Sequence, residues 1–131
     1  MKYTYKNNWP ISWFSYKGCT NMVNKLLRNP KVDPVGKTNN PIRWASKNGH
    51  IAIVNRLLED PRIDPSVENN WALREASKNG HLSVVDRLLE DSRVNPTASN
   101  NEAAYIARKH GHTAIVNRLL KDERVRSTWT P

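Results

Sequence analysis

Ala72-Leu73-Arg74-Glu75-Ala76-Ser77-Lys78-Asn79-Gly80-His81-Leu82-Ser83-Val84-Val85-Asp86-Arg87-Leu88-Leu89-Glu90-Asp91-Ser92-Arg93-Val94-Asn95-Pro96 is the stretch on which the fold turns. Ala72, Leu73 and Ala76 put small and apolar side chains on one face of a helix running to about Asn79. Gly80 supplies a residue that accepts positive φ and ends that helix. Leu82, Val85, Leu88 and Leu89 then form a second helical stripe, and the segment closes on a polar connection ending in Pro96, which cannot continue a helix. Shifted by 31 residues, 72–96 agrees with 41–65 at 15 of 25 positions without a gap.

The same period runs through the chain. Gly18, Gly49, Gly80 and Gly111 lie 31 residues apart, as do the pairs Leu26-Leu27, Leu57-Leu58, Leu88-Leu89 and Leu119-Leu120. Pro10-Ile11-Ser12-Trp13 aligns with Pro41-Ile42-Arg43-Trp44, and Asn40 before Pro41 reads as an N-cap followed by proline at the first helical position. A fixed period of this length predicts a solenoid in which each unit buries its apolar face only against its neighbours. The expected fold is all-α, about four helix–turn–helix units at 9–34, 40–65, 71–96 and 102–125 in a single domain over 1–131, with 126–131 as a C-terminal tail.

Composition agrees with a thin stack. The 131 residues are 37% hydrophobic and carry 21 Lys+Arg against 12 Asp+Glu, a formal charge of +9. Five Trp and four Tyr argue against disorder, and the single Cys19 excludes an internal disulfide. The start, Met1-Lys2-Tyr3-Thr4-Tyr5-Lys6-Asn7-Asn8, lacks the apolar core of a signal peptide, and no stretch approaches the roughly 20 apolar residues of a membrane span. A monomeric protein inside the cell is expected.

Asn48-Gly49-His50, Asn79-Gly80-His81 and His110-Gly111-His112, each followed by an aliphatic stripe and a Leu-Leu pair, resemble the Gly-His signature of ankyrin repeats over roughly residues 9–125. The repeat is two residues shorter than the common 33-residue form, which implies a short finger loop between units. The Thr-Pro-Leu-His tetrapeptide is replaced by Trp9-Pro10-Ile11-Ser12, Asn40-Pro41-Ile42-Arg43, Trp71-Ala72-Leu73-Arg74 and Glu102-Ala103-Ala104-Tyr105. The Asp-Pro-Arg-x-Asp-Pro linker is similar to short ankyrin repeats of amoeba-infecting giant viruses and protists, which implies a cytoplasmic site of action, that of the host for a viral protein. The resemblance also implies structural roles for Gly18, Gly49, His50, Gly80, His81, Gly111 and His112, the histidines bonding the preceding loop.

No catalytic constellation is present in the sequence. The histidines fall in a ladder, His110-Gly111-His112 lacks Cys or carboxylates at metal-ligand spacing, and there is no phosphate loop or nucleophile motif. Cys19 occupies the place that His has in later copies and is expected to be a packed small residue. The expectation is a non-enzyme with no cofactor and no metal.

The ankyrin resemblance implies a partner docking on the concave face, through finger tips and the two positions before each Gly-His pair. Those positions hold Tyr16-Lys17, Lys47-Asn48, Lys78-Asn79 and Lys109-His110, with Lys37 on a finger and Arg43 and Arg74 one turn earlier. Lys47, Lys78 and Lys109 form a basic stripe that is either a solvated face or the seat of an acidic partner. Trp13 and Trp44 share one register and either stack across the first interface or anchor a partner, in an N-terminal third that also holds Tyr5, Trp9 and Tyr16. Lys25, Arg56, Arg87 and Arg118 recur on the second helices, and Asp60, Asp91 and Asp122 follow the last three at the i, i+4 spacing of helical ion pairs. The leading function is a protein-interaction scaffold. The alternatives are a basic nucleic-acid-binding solenoid and a structural piece of a larger repeat array. Charge bears on this choice: 1–40 is +6, 41–71 neutral, 72–102 −1 and 103–131 +4, so the excess sits at the ends.

Overall fold

A computed structural model describes residues 9–35 and 40–131; Tyr5, Lys6 and Lys37 lie outside them, as does the side chain of Trp9. The described residues form helices α1 Trp9–Lys17, α2 Thr20–Leu27, α3 Pro41–Lys47, α4 Ile51–Leu58, α5 Val67–Lys78, α6 Leu82–Leu89, α7 Ala98–Lys109, α8 Thr113–Leu120 and α9 Glu123–Thr128, with no strand among them. The first eight pair as helix–turn–helix hairpins, and the hairpins stack in chain order.

The stripes read from the sequence form the core. Val54, Val85 and Val116 of the second helices are buried with Leu57, Leu88 and Leu119, against Ala45, Ala76 and Ala107 of the first helices. The first helices pack closely along one another, while the second helices touch their counterparts sparingly. Small side chains explain the close approach: Ser15, Ser46 and Ser77 recur at one register and are fully buried there.

Local chemistry sets each boundary. The Asn40 side chain accepts the Ile42 N–H at 3.1 Å, capping α3 ahead of Pro41. Gly49 and Gly80 turn the hairpins at φ +74° and +79°. The short finger is a left-handed turn. Glu68-Asn69-Asn70 and Ser99-Asn100-Asn101 each hold three successive residues at φ +54° to +63°, so α5 and α7 run straight only from Trp71 and Glu102. Asparagine tolerates this region better than most residues, and Arg74 donates to the carbonyls of Glu68 and Asn69 at 2.9 and 3.1 Å, tying one turn to its helix.

The stretch 126–131, expected as a tail, is built into the fold. Val125 of α9 is fully buried, Trp129 stacks on Tyr105 with centroids 4.6 Å apart, and the Tyr105 hydroxyl donates to the Thr130 carbonyl at 3.0 Å. Val125 keeps the buried repeat position of Val32, Ile63 and Val94, whereas Tyr105 and Trp129 replace Arg74 and Ala98 of the preceding copy, so periodicity carried no sign of their stack.

Candidate binding face

Tyr16, Lys47, Lys78 and Lys109 occupy one register, two residues before each turn glycine. The backbone of the first three is held by the next repeat. His50 Nε2 donates to the Tyr16 carbonyl at 3.0 Å, His81 to Lys47 at 2.9 Å and His112 to Lys78 at 3.0 Å. Each bond requires the proton on Nε2, and each ring lies directly on the preceding glycine. A Cβ on Gly49 would stand 2.5 Å from His81 Nδ1, and one on Gly80 would stand 2.7 Å from His112. The side chains of this ladder point away from these bonds: Tyr16, Lys78 and Lys109 are exposed and Lys47 is half-buried.

The aromatic residues gather at the N-terminal end of the ladder. Tyr16 links the two tryptophans, with its ring stacked on Trp13 at 6.0 Å and edge-on to Trp44 at 5.8 Å. Trp13 and Tyr16 remain 43% and 39% exposed, so the cluster spans the first interface with part of each ring in solvent. Lys17 Nζ lies 5.0 Å from the Trp13 ring, and Lys47 Nζ lies 5.4 Å from that of Trp44.

Arg43 and Arg74, expected to face a partner, are turned onto the protein itself. The Arg43 guanidinium sits between Trp44 and Trp71, 4.6 and 3.0 Å from the ring centres, and 3.8 Å from Glu75. Glu75 also accepts the Trp71 indole N–H at 3.0 Å, so one carboxylate fixes both members of the clamp. Burial lowers the Arg43 pKa while Glu75 raises it, and its Nε is buried without a hydrogen-bond partner. Arg74 pairs with Glu102 at 2.9 Å besides capping the finger turn. Trp71 and Glu75 were not among the residues singled out from the sequence. Their spacing of four on one helix was the available signal.

The second-helix ladder also departs from expectation. Asp60, Asp91 and Asp122 pair with Arg62, Arg93 and Arg124 two residues on, at 2.7, 2.8 and 2.8 Å, and not with the arginines four residues before them. The helices end at Leu58, Leu89 and Leu120, so these aspartates already sit in the linker turn. Each accepts its arginine's backbone N–H as well as the guanidinium. These bonds, led by the guanidinium contact, hold all three carboxyls below their usual pKa. Arg62 also donates to the carbonyls of Val32 and Leu27 at 2.6 and 3.1 Å, crossing to the previous repeat. Arg118 pairs across repeats with Asp86 at 2.8 Å.

All seven ion pairs among the described residues use arginine. Lys17, Lys47, Lys78 and Lys109 have no carboxylate within 4.0 Å there, so the ladder is a row of unpaired positive charge. His110 is exposed, accepts no role in that row beyond its position, and bonds the Ile106 carbonyl at 3.1 Å through Nδ1. Cys19, expected to be packed, is exposed: it holds the N-cap place of His50, His81 and His112, which lie on the glycine of the hairpin before, and no described hairpin precedes the first. Among the described residues no three of His, Cys, Asp and Glu gather to hold a metal ion, and no helix is long and apolar enough to cross a membrane.

The family model for the ankyrin repeat matches residues 68–101, the finger turn, α5, α6 and the next finger. No curated protein matches the chain by sequence. Among solved structures, a chain from the crystal structure of the yeast ribosomal protein Rps3 in complex with its chaperone Yar1 superposes with a TM-score of 0.76. The match covers 91% of this chain and 94% of that one at 21% identity, a likeness of fold.

Proposed function

We infer that this chain, an ankyrin-repeat protein, is a protein-interaction module that takes an acidic stretch of its partner along the first-helix side of the stack. The observation that carries this reading is the division of labour among cations. Every ion pair among the described residues is made by an arginine, seven in all, and none by a ladder lysine. Unpaired charge in a row raises the encounter rate with an opposite surface and gains most when that surface covers it. Closer packing of the first helices than of the second supports a curvature that faces this row inward. The open Trp13 and Tyr16 rings add the residue types most enriched in binding hot spots. The likeness in fold to a chain of the yeast Rps3–Yar1 complex, a ribosomal protein with its chaperone, agrees with a partner-binding role.

The test is a nuclease-treated affinity capture comparing wild type with Lys47→Glu/Lys78→Glu/Lys109→Glu. Partners identified by mass spectrometry from the wild type should be acidic and absent from the variant, whose helicity and melting should be unchanged. Equal capture by both would reduce the row to a solvated face.

A second reading has one observation in its favour: rings and cations alternate at the N-terminal end, as they do where single-stranded nucleic acid stacks on a protein. It predicts micromolar binding to random RNA with a steep salt dependence. Absence of binding at low salt eliminates it.

A further inference from the structure

We propose that the partner segment is a polyproline-II strand carrying a carboxylate at every third residue, one for each ladder lysine, with its end laid on the Tyr16–Trp13 rings. This rests on the reading that the ladder receives an acidic stretch. It goes further by fixing the shape and the period of that stretch.

The argument is one of spacing. Packed helices stand about 8–10 Å apart, which sets the step from Lys47 to Lys78 to Lys109. Histidine bonds of 2.9 and 3.0 Å tie the backbone of Lys47 and Lys78 to the next repeat, so these ladder positions step with the helices that carry them. A polyproline-II strand rises about 3.1 Å per residue with three residues per turn, so its same-face side chains recur every ~9 Å. A β-strand repeats its face every ~6.7 Å and falls out of register by the second lysine. A helix meets the ladder only at every seventh residue, about 10.5 Å, and offers fewer contacts per length. Polyproline II is also ordered before binding, which reduces the entropic cost of laying a strand along the row.

The end of the ladder fits the same strand. One step beyond Lys47 the register holds Tyr16 in place of lysine, with Trp13 stacked against it and Lys17 alongside. Exposed aromatic faces of this kind receive proline rings. A strand that presents carboxylates to three lysines therefore reaches the rings at its fourth contact, where a proline fits and a charge does not.

The experiment uses the full chain and fluorescein-labelled peptides. One is Glu-Pro-Pro repeated three times and closed by Pro-Pro-Pro; a second has the same residues with the glutamates in one block; a third is helical with glutamate at every seventh position. A uridine oligonucleotide of matched charge is the fourth probe. The periodic peptide should bind about ten-fold tighter than the blocked one. It should lose at least ten-fold in Lys47→Glu/Lys78→Glu/Lys109→Glu and severalfold in Tyr16→Ala, with circular dichroism confirming that both variants fold. Equal binding of periodic and blocked peptides, both lost in the triple variant, would overturn the period while leaving the acidic-partner reading intact. Tightest binding of the helical peptide would overturn the strand. Preference for the oligonucleotide, or no peptide binding dependent on the lysines, would overturn both.

Discussion

Adjacent repeats are joined at two edges by different chemistry. At the hairpin turns a histidine reaches one carbonyl, and the bond recurs at nearly constant length from His50 to His112. At the linkers an Asp–Arg pair does the joining, and it fades along the chain. Arg62 reaches two carbonyls of the repeat before it and Arg93 one. Arg124 reaches none there among the described residues, and Arg exposure rises from 31% to 43% to 57%. The imidazole bond needs only a glycine to lie on, which every hairpin provides. The guanidinium bond needs two desolvated partners and weakens wherever the array leaves them in water. The turns thus carry a constant geometry, and the linkers carry a graded one.

Substitution at the glycines should give the largest effects and test the first half of that contrast. Gly80→Ala meets both a left-handed backbone at φ +79° and the His112 ring at 2.7 Å, whereas Gly111→Ala meets φ +78° with nothing within 4 Å. The backbone alone costs about 1–2 kcal/mol, and crowding in packed surroundings adds about 1–3 kcal/mol. Chemical denaturation should therefore show Gly80→Ala losing roughly 3 kcal/mol and Gly111→Ala about half as much; Gly80→Val should be worse than either. Equal losses would mean that the ring contact contributes nothing.

The linkers come next. Asp60→Asn removes a carboxylate whose side chain is 7% exposed and which orients a cross-repeat arginine, so a loss of about 1.5–3 kcal/mol is expected. Asp122→Asn acts on a pair that is open to water and should cost under ~1 kcal/mol. If both cost the same, the gradient is without energetic content. Acid titration reads the same edge. The three carboxyls have depressed pKa values in the folded state, so their stabilisation is complete above the unfolded value of about 3.9 and is lost as pH falls through the folded values. Melting temperature should hold from pH 7 to about 5 and drop below about 4. Asp60→Asn should flatten that drop more than Asp122→Asn does.

The contrast also marks how far the sequence could be read. The repeat, the turn glycines and the histidine ladder were legible because each depends on a spacing of 31, and a fixed spacing is what a stack requires. The aspartates were misassigned because i, i+4 pairing presumes a continuing helix, and α4 had already ended at Leu58 before Asp60. The left-handed fingers had a sign in the paired asparagines, Asn69-Asn70 and Asn100-Asn101, but no glycine to mark positive φ. The Arg43 clamp and the Tyr105–Trp129 cap were hidden for another reason. Both depend on side chains that occur in one repeat only, and a periodic reading averages those away.

Between the two edges runs a seam that has neither kind of bond, and it supplies the smallest and opposite effect. Ser46 and Ser77 are fully buried where the first helices meet, and the Oγ of each has no hydrogen-bond partner. A hydroxyl held away from water without a partner costs about 1–3 kcal/mol relative to a paired one, and alanine keeps the small volume that lets the helices approach. Ser46→Ala and Ser77→Ala should each stabilise the protein, by about 1 kcal/mol, and should add when combined, since neither has a partner to couple through. A loss of stability would show that the seam, like the edges, is joined by a polar bond, with the serine hydroxyl as its donor.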